Sequence, residues 1–87
     1  MSEQPKWLER AIATYSFHRS KLLDNDKWSL TQTAKILRRS TGSVSEDLLI
    51  ARNLKNYPTE LEKLDHAYQA LEFIRGKQKE QDLEEIK

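Results

Sequence analysis

The 87-residue chain has room for one small domain, because a chain of this length buries only roughly 60 to 65% of the surface that it exposes when unfolded. Its 37% hydrophobic and 33% charged residues are typical of a small folded protein with a solvated surface and exclude an intrinsically disordered chain. The absence of cysteine excludes disulfides and thiolate metal sites, and the net charge of +1 favours no class of partner by itself.

The N-terminal segment and the hydropathy pattern both indicate a protein that stays in the cytoplasm. Met1 to Pro5 lacks the basic region and apolar run of a secretory signal, and no stretch reaches the roughly 18 apolar residues of a membrane span. We therefore expect a soluble, cytoplasmic protein without a membrane partner.

The first predicted helix spans residues 5–23. Pro5 suits the first position of a helix, and no helix-breaking residue follows before the turn formed by Asp24, Asn25 and Asp26. Apolar residues recur along this segment at spacings of three and four, which predicts one face packed on a core. These residues are Trp7, Leu8, Ala11, Ile12, Tyr15, Leu22 and Leu23.

A short second helix is predicted over residues 30–37. Ser29 and Gln32 have the S-x-x-Q spacing of a capping box, in which the serine oxygen accepts a backbone amide proton and the glutamine side chain reaches back. A helix this short is marginal alone, so it needs to pack on a neighbour, and Ala34 and Leu37 supply its apolar face.

A longer third helix is predicted over residues 41–54, after a turn of three or four residues. Ser40 or Thr41 supplies its N-cap. Its apolar residues recur at helical spacing, while the opposite side carries small polar residues. The apolar set is Val44, Leu48, Ala51 and Leu54.

The C-terminal helix is predicted to start at Thr59, which opens a T-x-x-E capping box directly after Pro58. Gly76 is expected to weaken or end this helix. We therefore predict one helical domain over residues 1–76, followed at 77–87 by a polar tail or a helical extension. The apolar residues of the helix are Leu61, Leu64, Ala67, Tyr68, Leu71 and Ile74.

These elements predict an all-α fold, a small domain of four or five helices that contains a helix-turn-helix. No segment shows the alternation of apolar and polar residues expected of a strand. Helices 30–37 and 41–54 have the lengths and the intervening turn of a helix-turn-helix. In such a unit the second helix lies in the DNA major groove, with its N-terminal residues at the base edges.

The segment from Leu30 to Ser45 resembles the helix-turn-helix of the ParB and KorB partition-protein family, and the partial match extends over residues 30–54. The matching positions are Ala34, Leu37, Arg39, Ser40, Val44 and Ser45. Arg38 stands where that family usually has glycine, which implies a left-handed residue at the turn. The resemblance implies a DNA-reading module alone, because the chain has no counterpart of the family's nucleotide-binding box or separate dimerisation domain.

The first turns of the third helix carry the candidate base-reading residues. Hydroxyls there can donate to or accept from a base, a carboxylate can accept from cytosine, and a glycine allows close approach. These residues are Thr41, Gly42, Ser43, Ser45 and Glu46.

Cationic and polar residues around the turn are the candidate phosphate contacts. Ten cationic and five acidic side chains lie between Lys6 and Lys55, whereas five cationic and seven acidic ones lie between Leu61 and Lys87. The positive charge therefore collects in the part of the chain that holds the predicted helix-turn-helix. The candidates are Lys27, Thr31, Gln32, Lys35, Arg38, Arg39, Arg52 and Lys55.

No pattern of a catalytic, cofactor or metal site stands out. The sequence has no glycine-rich phosphate loop, no His-Glu-x-x-His motif and too few apolar residues to shape a large cleft. His18 and His66 lack companion ligands for a metal. We therefore expect no enzymatic activity, no cofactor, no metal and no small-molecule substrate.

The sequence accordingly favours a sequence-specific DNA-binding protein resembling a transcriptional regulator, with double-stranded DNA as its partner. A homodimer through the C-terminal helix is expected, because one small module buries little DNA surface. Two alternatives stay open. The same helices can form a protein-interaction module that docks on a larger protein, which Glu46 and Asp47 in the reading helix favour, or an accessory DNA-binding domain of a packaging or recombination complex.

Overall fold

The computed structural model describes the backbone of residues 4–85 and the side chains of residues 4–80. Five helices follow one another along the chain: α1 (Lys6–Asp24), α2 (Leu30–Leu37), α3 (Thr41–Leu54), α4 (Pro58–Glu62) and α5 (Ala67–Glu85). The backbone between residues 4 and 85 contains no strand, which confirms the predicted all-α fold. None of these five helices has both the length and the apolar character that a membrane span requires.

The start of α1 and the capping box of α2 agree with the sequence patterns. The Pro5 carbonyl accepts the amide protons of Leu8 and Glu9 at 3.0 and 3.1 Å, so α1 begins within one residue of its predicted start. Ser29 Oγ accepts from the Gln32 amide at 3.2 Å, and Gln32 Oε1 accepts from the Ser29 amide at 2.8 Å. Two backbone donors at the start of α2 are thereby satisfied, as the capping box predicts.

The N-cap of α3 is Ser40, which resolves the choice between Ser40 and Thr41. Ser40 Oγ accepts from the Ser43 amide at 3.1 Å. The serine backbone is extended while Thr41 is already helical, which is the geometry that an N-cap requires. The predicted range 41–54 of this helix is therefore confirmed.

The predicted helix start at Thr59 is wrong. Pro58 is the first residue of α4, and Tyr57 occupies the N-cap position without a side-chain hydrogen bond. The fixed φ of proline is preorganised for the first helical position, and this outweighs the capping-box pattern that begins one residue later.

The predicted single C-terminal helix is two helices. Residues 63–66 separate α4 from α5. Gln69 Oε1 accepts the backbone amide protons of Asp65 at 2.9 Å and His66 at 3.1 Å, which satisfies donors at the N-terminus of α5. The helix is interrupted between α4 and α5 because Gln69 caps a new helix start there. In the sequence, the T-x-x-E pattern upstream indicates only the first of these two starts.

Gly76 does not end α5, contrary to one of the two outcomes expected from the sequence. The helix continues through this residue to Glu85. A glycine inside a helix costs roughly 1 kcal/mol relative to alanine, which a long helix anchored in a core tolerates. Residues 77–85 are thus a helical extension, and residues 86–87 of the predicted tail lie outside the described residues.

The main core lies between α1, α3, α4 and α5. Its fully or nearly fully buried side chains are Leu8, Ala11, Ile50, Leu61, Ala70, Leu71 and Ile74. The indole Nε1 of Trp7 donates to the Leu64 carbonyl at 3.3 Å and so joins the start of α1 to the segment before α5. This core fixes α3 along α1, which determines the side of α3 that solvent reaches.

A smaller apolar cluster holds α2 against α3. Its members are Ala34 on α2 and Val44 and Leu48 on α3, with Tyr15 and Leu30 packed against them. Leu37, which the sequence places in this contact, is half-buried and is not part of the cluster. Because alanine is small, the axes of α2 and α3 can approach closely at Ala34.

Candidate nucleic-acid interface

The turn between α2 and α3 depends on a left-handed residue. Arg38 has φ 56° and ψ 46°, so a residue with a Cβ adopts the left-handed conformation at this turn. Its amide donates to the Lys35 carbonyl at 3.3 Å, and the Arg39 amide donates to the Ala34 carbonyl at 3.0 Å. This conformation costs a residue with a Cβ roughly 1 to 2 kcal/mol, and the packing of α3 on α2 offsets that cost.

The N-terminal half of α3 presents a face to solvent. Val44, Asp47, Leu48 and Ile50 are buried on the inner side of the helix. Because α3 repeats every 3.6 residues, the opposite side is exposed. Four of the five candidate base-reading residues lie there, all of them exposed: Thr41, Gly42, Ser45 and Glu46. We call this set the reading face.

Ser43 does not belong to the reading face. It is half-buried on the inner side of α3, one helical turn before Asp47. Its Oγ accepts from Arg39 Nε at 3.2 Å and also from Nη2 of the same guanidinium. The prediction of Ser43 as a base reader is therefore corrected, because its hydroxyl is engaged inside the fold.

A buried carboxylate lies behind the reading face. Asp47 is 1% exposed, and its Oδ2 lies 2.7 Å from Arg39 Nη1. Its Oδ1 lies 3.3 Å from Arg10 Nη2, and Thr14 Oγ1 lies 3.0 Å from Oδ2. A buried carboxylate is tolerated only when it is paired and hydrogen-bonded, which these three partners achieve. We call Arg10, Thr14, Arg39, Ser43 and Asp47 the inner polar cluster.

Arg39, which the sequence predicts to be a phosphate contact, is held inside the fold by the inner polar cluster. Its side chain is 18% exposed, and Nη1 donates to Thr14 Oγ1 at 3.0 Å in addition to the ion pair with Asp47. The prediction of a phosphate contact by Arg39 is corrected accordingly. The charge of Asp47, which the sequence analysis takes to favour a protein-interaction module, is neutralised by Arg39.

The other seven candidate phosphate contacts are all exposed. They lie in the turn before α2, on α2, at the α2–α3 turn and along the second half of α3: Lys27, Thr31, Gln32, Lys35, Arg38, Arg52 and Lys55. Gln32 uses its Oε1 in the capping box, which leaves its amide NH₂ group as the available donor. Between Leu30 and Leu54, the exposed charged side chains are three cations and one acid, Glu46.

A polar contact that the sequence does not reveal ties α2 to α1. Thr33 is fully buried, and its Oγ1 accepts from Trp28 Nε1 at 2.7 Å. His18 Nδ1 lies 2.6 Å from the same oxygen. This contact orients α2 on α1.

The N-terminal end of α5 borders the reading face without covering it. Ala67 and Leu71 line the same depression as Gly42 and Glu46. Gly42 nevertheless has open space around it, since a Cβ built there meets nothing within 4 Å. The reading face is therefore accessible to solvent although α5 lies beside it.

Comparison with known proteins adds no relative. No model of a protein family, no curated protein and no solved structure matches the chain. The resemblance of residues 30–54 to the ParB and KorB helix-turn-helix stays a prediction from the sequence.

Proposed function

We propose that this chain is a small sequence-specific DNA-binding protein, similar in action to a transcriptional regulator, that places α3 in the major groove. One observation carries the proposal. The reading face is an exposed strip of small polar side chains at the N-terminal end of a helix that a short helix and a tight turn hold in place. Helix-turn-helix proteins use this end of their second helix to contact base edges.

The chemistry of the reading face suits base contacts. The hydroxyls of Thr41 and Ser45 serve as donors or acceptors, and Glu46 can accept from the amino group of a cytosine. Gly42 adds no side-chain bulk where the helix would approach the bases. Small side chains at these positions let the helix backbone come close to the groove floor.

Exposed cations around the reading face would contact the phosphates. Lys35 lies on α2, Arg38 at the turn before α3 and Arg52 two turns beyond Ser45 on α3, and all three are exposed. Each phosphate that such a side chain neutralises contributes about one unit to the dependence of log affinity on log salt concentration. A cytoplasmic location is part of the same proposal.

The test is a titration of the full chain against a labelled mixed-sequence DNA duplex at several salt concentrations. We expect an affinity that falls steeply with salt, with a slope of several units. Arg52→Gln should lower this slope by about one unit. Lys63→Gln, an exposed cation between α4 and α5, is the matched control and should leave the slope unchanged. No binding at low salt would reject the proposal.

A protein-interaction module is the second candidate, and Glu46 favours it. This carboxylate is exposed within the reading face, where it opposes approach of a phosphate backbone. If neither the unaltered protein nor Glu46→Gln binds DNA, the interaction module becomes the better explanation. An increase in DNA affinity with Glu46→Gln would instead support the DNA-binding proposal.

A further inference from the structure

A groove lies between the C-terminal half of α1 and the outer side of α3. Two adjoining depressions of about 170 and 290 Å³ form it, and they share His18, Leu48 and Arg52. Tyr15, Arg19 and Leu22 of α1 complete one depression, and Leu30, Leu49 and Ser45 of the reading face complete the other. We call this surface the arginine groove. None of the described residues of α5 lines it.

The arginine groove combines an apolar floor with a cationic rim. Leu48 is 5% exposed and forms the floor, and Leu22 is 37% exposed at the edge. Arg19 and Arg52 are exposed, and Arg19 Nη1 donates to Tyr15 Oη at 3.1 Å, which holds it at the rim. No acidic side chain lines either depression. The surface is complementary to an amphipathic helix that carries carboxylates beside a few apolar side chains.

The end of α5 is a segment of that kind. Ile74 is the last residue of α5 in the main core, and the side chains of residues 75–80 are exposed or half-buried. In the sequence, residues 80–85 contain Leu83 and four acidic residues without a cation, whereas Arg75, Lys77 and Lys79 precede them. We call residues 80–85 the acidic end of α5; its acidic residues are Glu80, Asp82, Glu84 and Glu85.

A helical segment that leaves its own core gains stability from a second surface. The part of α5 after Ile74 is shorter than the ~12 to 15 residues at which an isolated helix becomes even marginally stable in water. Contact with another protein surface would supply the packing that its own core does not.

We propose that the arginine groove binds the acidic end of α5 from a second copy of this chain. Each copy has one groove and one acidic helix end. In a twofold-symmetric pair, the helix end of each copy therefore occupies the groove of the other. Attraction between the net negative charge of this helix end and the guanidinium groups of Arg19 and Arg52 would hold the pair together. Arg52 also belongs to the proposed phosphate contacts, so DNA and the helix end compete for it.

The test is sedimentation equilibrium of the full chain without DNA, at low and high salt. We expect a monomer–dimer equilibrium that weakens as salt rises. Arg52→Glu should weaken association about tenfold, which corresponds to about 1.4 kcal/mol. The pair Glu84→Lys and Glu85→Lys in one chain should weaken it at least as much. Lys63→Glu changes the net charge by the same amount as Arg52→Glu, at another surface, and serves as its control.

Mixing the two variants distinguishes the proposed contact from misfolding. The acidified groove of one variant then meets the basic helix end of the other, so association should recover in the mixture. A chain that stays monomeric at low salt, association that neither variant weakens, or a mixture that does not recover would each overturn the proposal. Circular dichroism of each variant verifies that the helices are retained. Because DNA is absent, the result is independent of the proposed DNA-binding function.

Discussion

The inner polar cluster and the reading face lie on opposite sides of α3, and the two adjacent arginines before this helix differ in the same way. Arg38 is exposed at the turn, whereas the guanidinium of Arg39 is 2.7 Å from a carboxylate that is 1% exposed. Both residues have the same charge and nearly the same place in the sequence. Their difference shows that a cation at this turn stays exposed or is held inside the fold, depending on whether the fold supplies it with a buried partner.

The two sides of α3 should contribute very differently to the free energy of unfolding. Asp47→Ala removes the carboxylate that pairs with Arg39 and Arg10, and it leaves the half-buried guanidinium of Arg39 without its anionic partner. We expect a loss of about 3 kcal/mol in the free energy of unfolding, measured by urea denaturation. Glu46→Ala, at the neighbouring exposed position, is the control and should change stability by less than about 0.5 kcal/mol. Equal losses for both variants would contradict the proposed division of α3.

Two serines of the same region allow a milder comparison. Ser40→Ala removes the N-cap that accepts from the Ser43 amide at 3.1 Å, and we expect thermal or urea unfolding to show a loss of about 1 kcal/mol. Ser45→Ala, on the reading face, should leave stability equal or slightly higher, because alanine favours helix more than serine. A larger loss with Ser45→Ala would mean that this side chain supports the fold and is not free for a ligand.

The smallest expected effect is at the turn. Arg38→Gly should raise the free energy of unfolding by about 0.5 kcal/mol, because glycine adopts φ 56° without the steric cost of a Cβ but loses more backbone entropy on folding. Lys35→Gly, three residues earlier in α2, should instead destabilise by about 1 kcal/mol. If Arg38→Gly destabilised the protein as much as Lys35→Gly, the left-handed turn would not be a source of strain.

The sequence predicts the local elements of this fold better than it predicts the partners of individual side chains. The bounds of α1, α2 and α3 follow from capping residues and apolar spacing, which are local. The break between α4 and α5 was missed, because Pro58 and Gln69 each supply a helix start within a single apolar pattern.

The role of Arg39 could not be deduced from local patterns. Its partner Asp47 is close in sequence, but the burial of that carboxylate depends on Thr14 and Arg10, which lie 33 and 37 residues away on α1. The same tertiary contact turns Ser43 inward. An acidic residue on the apolar side of a helix pattern is the one signal that was available, since such a residue is buried only when a cation pairs with it.

We propose that exposed side chains beside the reading face contact DNA, while Arg39 positions α3 from within the fold. The salt dependence of duplex binding tests it most directly, with Arg38→Gln and Arg39→Gln compared in parallel. Arg38→Gln should lower the slope of log affinity against log salt by about one unit, and Arg39→Gln should reduce affinity at every salt concentration with the slope unchanged. The account is contradicted if the unaltered protein shows no salt-dependent binding, or if Arg39→Gln lowers the slope as Arg38→Gln does.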